Sequence, residues 1–213
     1  MVVKKGRKRT RKRNKSKFVR RNRARVNQGF SFNRRYPWPT QMRQTLRYME
    51  QWRAANPGVG GISSDYVFSL NGLYDPNITG TGHQPIGFDQ LMTFYDHYNV
   101  RVARGSVYFK SNDSVYTNNI ALKIHDDATS ITDANTSIEN GYANMKIMKT
   151  IAAEDSPIYR IDYEVDVHKW LGRSVRDPQT RGDAGNNPTE QLYLHVLVWP
   201  NESVDSTGGE FLF

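Results

Sequence analysis

The first 35 residues carry sixteen Lys and Arg residues and no Asp or Glu, and the first carboxylate of the chain is Glu50. The whole chain has 30 basic and 21 acidic residues, so residues 36–213 keep 14 basic and 21 acidic side chains, a net charge of −7. A run with this charge density and few apolar residues cannot bury enough surface to offset the entropy of ordering. We therefore expect a disordered basic arm over residues 1–35 and a folded domain over residues 36–213.

The arm is expected to bind nucleic acid. Each cation placed on a phosphate releases condensed counterions, which makes such binding strong, largely independent of sequence and steeply dependent on salt. Ten of the sixteen cations are arginines, which favours forked contacts to phosphate and stacking on bases. A nuclear import signal is a second expected use of the same residues. The candidate nucleic-acid-binding residues are Lys4, Lys5, Arg7, Lys8, Arg9, Arg11, Lys12, Arg13, Lys15, Lys17, Arg20, Arg21, Arg23, Arg25, Arg34 and Arg35.

The composition excludes several other classes of protein. The chain has no cysteine, which removes disulfide frameworks, thiolate zinc sites, iron–sulfur clusters and cysteine nucleophiles. It has no run of about 18 apolar residues, so we expect no membrane attachment. The 178 residues after the arm suffice for one domain with a hydrophobic core of its own.

Alternation of apolar and polar side chains with a period of two dominates the chain after residue 35. Segment 159–167 alternates apolar with charged side chains, which predicts a strand with one buried and one wet face, and segment 120–124 alternates in the same way. Segment 192–199 is apolar on both faces apart from His195, which places it in the middle of a sheet. Many strands joined by long polar loops predict an antiparallel sandwich or barrel.

Four segments lie outside this strand pattern. Met42–Arg53 fits a helical and a strand period equally, whereas residues 88–98 fit a short amphipathic helix. Residues 126–141 and 172–189 are long and polar, so we expect them to be loops on the outer surface.

The sequence offers no assembled catalytic or metal site. The five histidines are scattered without the spacing of a zinc hydrolase, and His195, inside an apolar strand, is expected to be a core histidine with satisfied nitrogens. Asp162, Glu164 and Asp166 share one strand face, a pattern that favours an exposed acidic surface over a divalent cation site. We predict no enzymatic activity, no metal and no cofactor.

Residues 66–110, YVFSLNGLYDPNITGTGHQPIGFDQLMTFYDHYNVRVARGSVYFK, resemble a known family. A strand ending in Asn71 is followed by Asp75-Pro76, then by Gly-Thr-Gly-His-Gln-Pro at 80–85, Phe-Asp-Gln at 88–90 and the approach to the next strand. This joint pattern is similar to the signature region of capsid proteins from small circular single-stranded DNA viruses. These viruses form the circovirus-like group, whose genomes encode a replication initiator.

The resemblance implies a single antiparallel jelly roll of eight strands with a short helix in a crossover loop. It implies about sixty copies in the smallest icosahedral shell, with the arms packaging single-stranded DNA. The virion and, during assembly, the host nucleus are the implied locations, with the host import machinery as a further partner. The resemblance also favours a strand over a helix for residues 42–53. The implied strands are 42–53, 65–71, 100–111, 117–125, 143–151, 156–168, 191–199 and 209–213.

Two alternative functions share the same features. The coat protein of a small RNA satellite virus has the same jelly roll and charged arm, so that only residues 66–110 favour DNA. A cellular nucleic-acid-binding module with a basic tail is the other alternative, although a domain of charge −7 would contribute little to such binding.

Overall fold

The described residues contain eight strands. The computed structural model describes residues 38–53, 64–111, 118–141, 143–147, 157–200 and 209–213. The strands within these residues are β1 Gln51–Arg53, β2 Ser64–Ser69, β3 Val102–Ser111, β4 Asn118–His125, β5 Ala143–Ile147, β6 Tyr159–Asp166, β7 Tyr193–Pro200 and β8 Gly209–Leu212.

The strands form two four-stranded antiparallel sheets with nested pairing. The first sheet has the order β1-β8-β3-β6 and the second the order β2-β7-β4-β5. Strand β1 therefore pairs with β8, β2 with β7, β3 with β6 and β4 with β5, as in a long hairpin that is folded over on itself. This nesting is the topology of the jelly roll. The predicted all-β jelly roll is confirmed.

The main hydrophobic core contains residues from both sheets. Phe109 and Ile161 come from the first sheet, and Phe68, Leu122 and Val196 from the second, and all five are buried. The predicted alternation over β6 is confirmed, because its charged side chains are exposed while the apolar ones face the core. Burying each large apolar side chain contributes roughly 1.5–3 kcal/mol to folding.

The second sheet is also buried on its opposite face. Ala121, Leu197 and Trp199 form a second apolar cluster, against which Ile131 and Ile138 pack. The expectation of a wet face for segment 120–124 is therefore wrong, because residues 131–138 cover it. The two-sided burial predicted for segment 192–199 is confirmed over β7.

The first strand is shorter than the predicted range 42–53. Glu50 and Phe213 exchange backbone hydrogen bonds of 2.9 and 2.8 Å, and β1 then continues to Arg53 opposite β8. Residues 42–49 precede the part of the chain that lies opposite β8, and they adopt neither a strand nor a helix.

Three α-helices and one 3-10 helix connect the strands within the described residues. They are α1 Phe88–Met92, α2 Ala134–Glu139, α3 Val167–Leu171 and the 3-10 helix Pro178–Thr180. The predicted helix over 88–98 is confirmed only as α1, because the backbone of Tyr98 is engaged in an antiparallel bridge with Gly182. The polar loop expected at 126–141 contains α2.

The predicted strand 156–168 ends at Asp166 because a helix begins there. The Asp166 carboxylate accepts a hydrogen bond from the Lys169 backbone N–H at 3.0 Å, which caps α3. Gly172 then ends the helix with φ +64°, a left-handed conformation that glycine adopts without steric cost.

Candidate functional site

The sixteen predicted nucleic-acid-binding residues, Lys4 to Arg35, lie outside the residues that the structure describes. Their role stays a prediction. All the strands and helices given above lie within the unit Gln44–Phe213.

Within the folded unit, two long segments dock on one another. We call them the loop platform: residues 70–101, which connect β2 to β3, and residues 172–192, which connect α3 to β7. The Tyr98 N–H donates to the Gly182 carbonyl oxygen at 2.9 Å, and the Gly182 N–H donates back at 3.1 Å. This pair joins the two segments through their backbones.

Asn187 makes a second connection through its side chain. Its amide oxygen accepts hydrogen bonds from the backbone N–H groups of Tyr74 and Asp75, both at 3.1 Å, and its amide nitrogen donates to the Asp75 carbonyl oxygen at 3.0 Å. The Asn187 side chain thereby makes the hydrogen bonds to Tyr74 and Asp75 that a neighbouring strand would otherwise make.

The Asn71 side chain also forms hydrogen bonds with backbone groups of the other segment. Its amide nitrogen donates to the Glu190 carbonyl oxygen, and its amide oxygen accepts from the Leu192 N–H, both at 2.9 Å. The Asn71 side chain is buried, so these hydrogen bonds replace contacts to water that folding removed.

Tyr98 adds a half-buried hydroxyl to the platform. This hydroxyl accepts from the Leu73 N–H at 3.0 Å and donates to the Asn187 amide oxygen at 3.3 Å. Burial raises the pKa of Tyr98 to about 12, and the Leu73 N–H acts in the opposite direction. The hydroxyl therefore keeps its proton, and its role as a donor, at physiological pH.

The platform displays apolar side chains to solvent. Ile86 is 89% exposed, and Tyr74, Ile78, Phe94 and Val175 are exposed as well. All five belong to the two docked segments. Apolar side chains on loops that many hydrogen bonds hold in place are suited to packing against another protein.

The segment with the Gly-Thr-Gly-His-Gln-Pro motif is tied to the residues before β1. His83 lies between two backbone carbonyl oxygens, with Nδ1 2.9 Å from that of Gln84 and Nε2 2.8 Å from that of Met49. The Tyr48 ring packs against the imidazole with the two planes tilted by 32°, and the Tyr48 hydroxyl donates to Glu50. The two hydrogen bonds raise the pKa of His83, and the Glu50 carboxylate acts in the same direction.

The acidic face of β6 is exposed, in agreement with the sequence. The Asp162 carboxylate accepts from Ser106 Oγ and Arg160 Nε, both at 2.6 Å, while Asp166 caps α3. Glu164 is exposed between them. Across the described parts of the chain, no three His, Asp or Glu side chains converge as ligands for a metal ion.

His195 is a core histidine, as predicted. The imidazole is fully buried, with Nδ1 2.8 Å from Asp65 Oδ2 and Nε2 2.8 Å from the Asp127 carbonyl oxygen. Asp65 Oδ2 also accepts from the Ile131 N–H at 2.8 Å. These contacts hold residues 127–131 on the outer face of the second sheet, so His195 has a structural role.

Comparison with solved structures gives matches of low identity. The chain matches the protein of Desmodium yellow mottle tymovirus with 10% identity and a TM-score of 0.33, over 84% of this chain and 91% of that one. It matches that of broad bean stain virus with 11% identity and a TM-score of 0.38, over 81% and 88%. A match to the semi-empty particle of Macrobrachium rosenbergii nodavirus has 10% identity and a TM-score of 0.36, over 83% and 87%.

Neither protein-family models nor curated proteins gave a match. The jelly-roll assignment therefore rests on the strand order of this chain. No helix within the described ranges is long and apolar enough to cross a membrane.

Proposed function

We propose that this chain is the coat protein of a small icosahedral virus, and that its arm packages a circular single-stranded DNA genome. The observation that carries the proposal is the combination of a nested jelly roll with a segment of sixteen cations and no carboxylate. The solved structures it matches, which carry the names of virus particles, agree with this reading without deciding it.

The division of charge suits a shell that encloses nucleic acid. Residues 36–213 have a net charge of −7, so a wall built from them would not itself attract phosphates, whereas the arm carries +16. Sixty arms would supply on the order of 1,000 positive charges, the scale needed for a genome of a few thousand nucleotides, with small cations neutralising the rest.

The loop platform supplies a surface for contacts between subunits. Several of its backbone groups bond to each other or to Asn71 and Asn187, and it exposes apolar side chains such as Ile86. Self-association of about sixty copies would bury such side chains.

DNA is proposed on the resemblance of residues 66–110 alone. The named structural neighbours include a tymovirus and a nodavirus, and no circovirus-like particle is among them. The coat protein of a small RNA virus is therefore the second candidate. Nuclear import through the arm belongs to the DNA proposal, because such genomes would be packaged in the nucleus.

The deciding experiment is electron microscopy of the purified full-length protein together with its absorbance at 260 and 280 nm. We expect uniform closed particles of roughly 20 nm that contain nucleic acid. Nucleic acid extracted from these particles should be degraded by DNase and resist RNase. The reverse digestion pattern would favour the RNA alternative, and a soluble monomer that binds nucleic acid would favour a cellular module.

A matched variant separates assembly from packaging. Replacing the sixteen arm cations by Gln leaves residues 36–213 unchanged, so the circular dichroism of the folded domain should be retained while the ratio of absorbance at 260 to 280 nm falls. If this variant packages as much nucleic acid as the parent, the arm does not have the proposed role.

A further inference from the structure

His168 connects helix α3 to both segments of the loop platform through Asn99. His168 lies in the first turn of α3 and is buried, and its Nε2 is 2.6 Å from the amide oxygen of Asn99. The Asn99 amide nitrogen donates to the Val175 carbonyl oxygen and to Thr180 Oγ1, both at 3.2 Å. The residue Asn99 before β3, helix α3 and the segment 175–180 thereby share one hydrogen-bond network.

These contacts determine which ring nitrogen of His168 carries a proton. The Val175 carbonyl can only accept, so the nitrogen of the Asn99 amide must face it and the oxygen must face His168. Nε2 of His168 therefore carries a proton. Its Nδ1 is buried without a hydrogen-bond partner, which the neutral imidazole tolerates and the protonated imidazolium does not.

The charged groups around His168 have opposing effects. Burial lowers its pKa and is the largest cause. Arg101, before β3, acts in the same direction, whereas the carboxylates of Asp166 and Asp177 act against it. Asp177 is itself 3.5 Å from the guanidinium of Arg173, which weakens its influence. The net result is a histidine whose neutral form fits the folded chain.

We propose that His168 is an acid-sensitive latch, which holds the segment 173–182 against residues 70–101 while it is neutral and releases this segment when it takes up a proton. In the released state the imidazolium reaches water, and Asn99 loses the partner that orients its amide toward Val175 and Thr180. The latch is a property of a single chain, so its test is independent of whether the chain forms a shell.

The sign of the pH effect follows from proton uptake. The unfolded or released chain binds a proton near the ordinary histidine pKa of 6.5, and the docked chain binds it only at lower pH. The stability that His168 contributes is therefore complete above about pH 6.5 and is lost as the pH falls below that value.

Hydrogen–deuterium exchange of the full-length protein at about pH 7.5 and about pH 5.5, corrected for intrinsic exchange, tests the latch. We expect the protection of amides in residues 173–182 to fall about tenfold at the lower pH, with β7 unchanged. His168→Gln keeps an amide donor for Asn99 and cannot titrate, so this difference should disappear. His97→Gln, at an exposed position of the same platform, should retain it.

Two results would overturn the latch: equal protection of residues 173–182 at both pH values in the parent protein, or an unchanged acid effect in His168→Gln. If His168→Gln does not fold, a pH series on the parent protein decides. The latch requires a one-proton transition below about pH 6.5 that is confined to the platform. A loss of protection spread evenly over β7 would contradict it.

Discussion

The ring of Tyr98 occupies the space that a side chain at position 182 would need. An ideal Cβ built on Gly182 would overlap two ring carbons and the hydroxyl oxygen of Tyr98, while the two backbones exchange hydrogen bonds of 2.9 and 3.1 Å. The backbone of Gly182 is not in the left-handed region. Glycine is therefore required here by the close approach of an aromatic ring, which brings the two segments of the loop platform together.

Gly182→Ala should destabilise the fold by roughly 1–3 kcal/mol, because the added methyl group forces the Tyr98 ring or the backbone bridge to move. Urea unfolding of the full-length variant measures the loss. Gly185→Ala is the matched control, since the nearest atom to its ideal Cβ is Asp183 Oδ1 at 3.8 Å. Equal stability of the two variants would show that the Tyr98 ring moves aside without a loss of folding free energy.

Asn187→Ala should cost roughly 1–3 kcal/mol, because the backbone N–H groups of Tyr74 and Asp75 lose their acceptor and the Asp75 carbonyl loses a donor. The neighbouring Asn186 is exposed, and its side chain bonds only to Asp183 among the described contacts, so Asn186→Ala should change stability little. If Asn187→Ala costs as little stability as Asn186→Ala, water replaces the Asn187 contacts.

The fold was predictable from the sequence where the apolar pattern within a strand determines which faces are buried. The alternation in β6 and the apolar run in β7 indicate their burial directly, because side chains alternate between the faces of a strand. The prediction was wrong in β4, where the alternation placed Ala121 and Lys123 on a solvent-exposed face. Both are buried, and Ile131 and Ile138 pack against the cluster that contains Ala121, a contact that no local pattern encodes.

The loop platform was not predictable in the same way. Asn71, Asn99 and Asn187 resemble ordinary loop residues, and only the fold shows that their amides act as partners for backbone groups far along the chain. Residues 172–189 were expected to be a polar surface loop, yet Thr180 and Gly182 within them are buried. The signal available in the sequence was the resemblance at residues 66–110, which includes Asn71 and Asn99.

Asp65→Ala should destabilise the second sheet by at least about 2 kcal/mol, because the buried Nδ1 of His195 loses its hydrogen-bond partner and the Ile131 N–H loses its acceptor. We expect residues 126–141 to become sensitive to limited proteolysis at the same time. Asp126→Ala is the control, because that carboxylate is exposed and should have a small effect. If the two variants are cleaved alike, Asp65 does not hold the segment.

His83 should show a pH dependence opposite in sign to that of His168. Its pKa is raised because, when protonated, both ring nitrogens donate to the carbonyl oxygens of Gln84 and Met49. This contribution to stability is complete below about pH 6.5, the ordinary histidine pKa, and is lost as the pH rises through the higher folded value. Protection of residues 79–85 against hydrogen exchange should therefore fall with rising pH.

His83→Gln should remove this dependence, because an amide side chain has a single, fixed set of donors and does not titrate. His97→Gln again serves as the control and should keep it. Protection of residues 79–85 that is independent of pH in the parent protein would mean that one carbonyl bond is enough to hold the segment.

The salt dependence of nucleic-acid binding should report how many arm cations neutralise phosphates. For single strands the slope of log K against log salt is about −0.7 per neutralised phosphate, so sixteen contacts predict a slope of about −11 and eight predict about −6. A variant with eight arm cations changed to Gln should show the smaller slope at unchanged domain stability. Replacing the ten arm arginines by Lys keeps the charge, so it should preserve the slope while weakening the binding that comes from stacking on bases. A slope that does not respond to arm charge would place the binding surface on the folded domain.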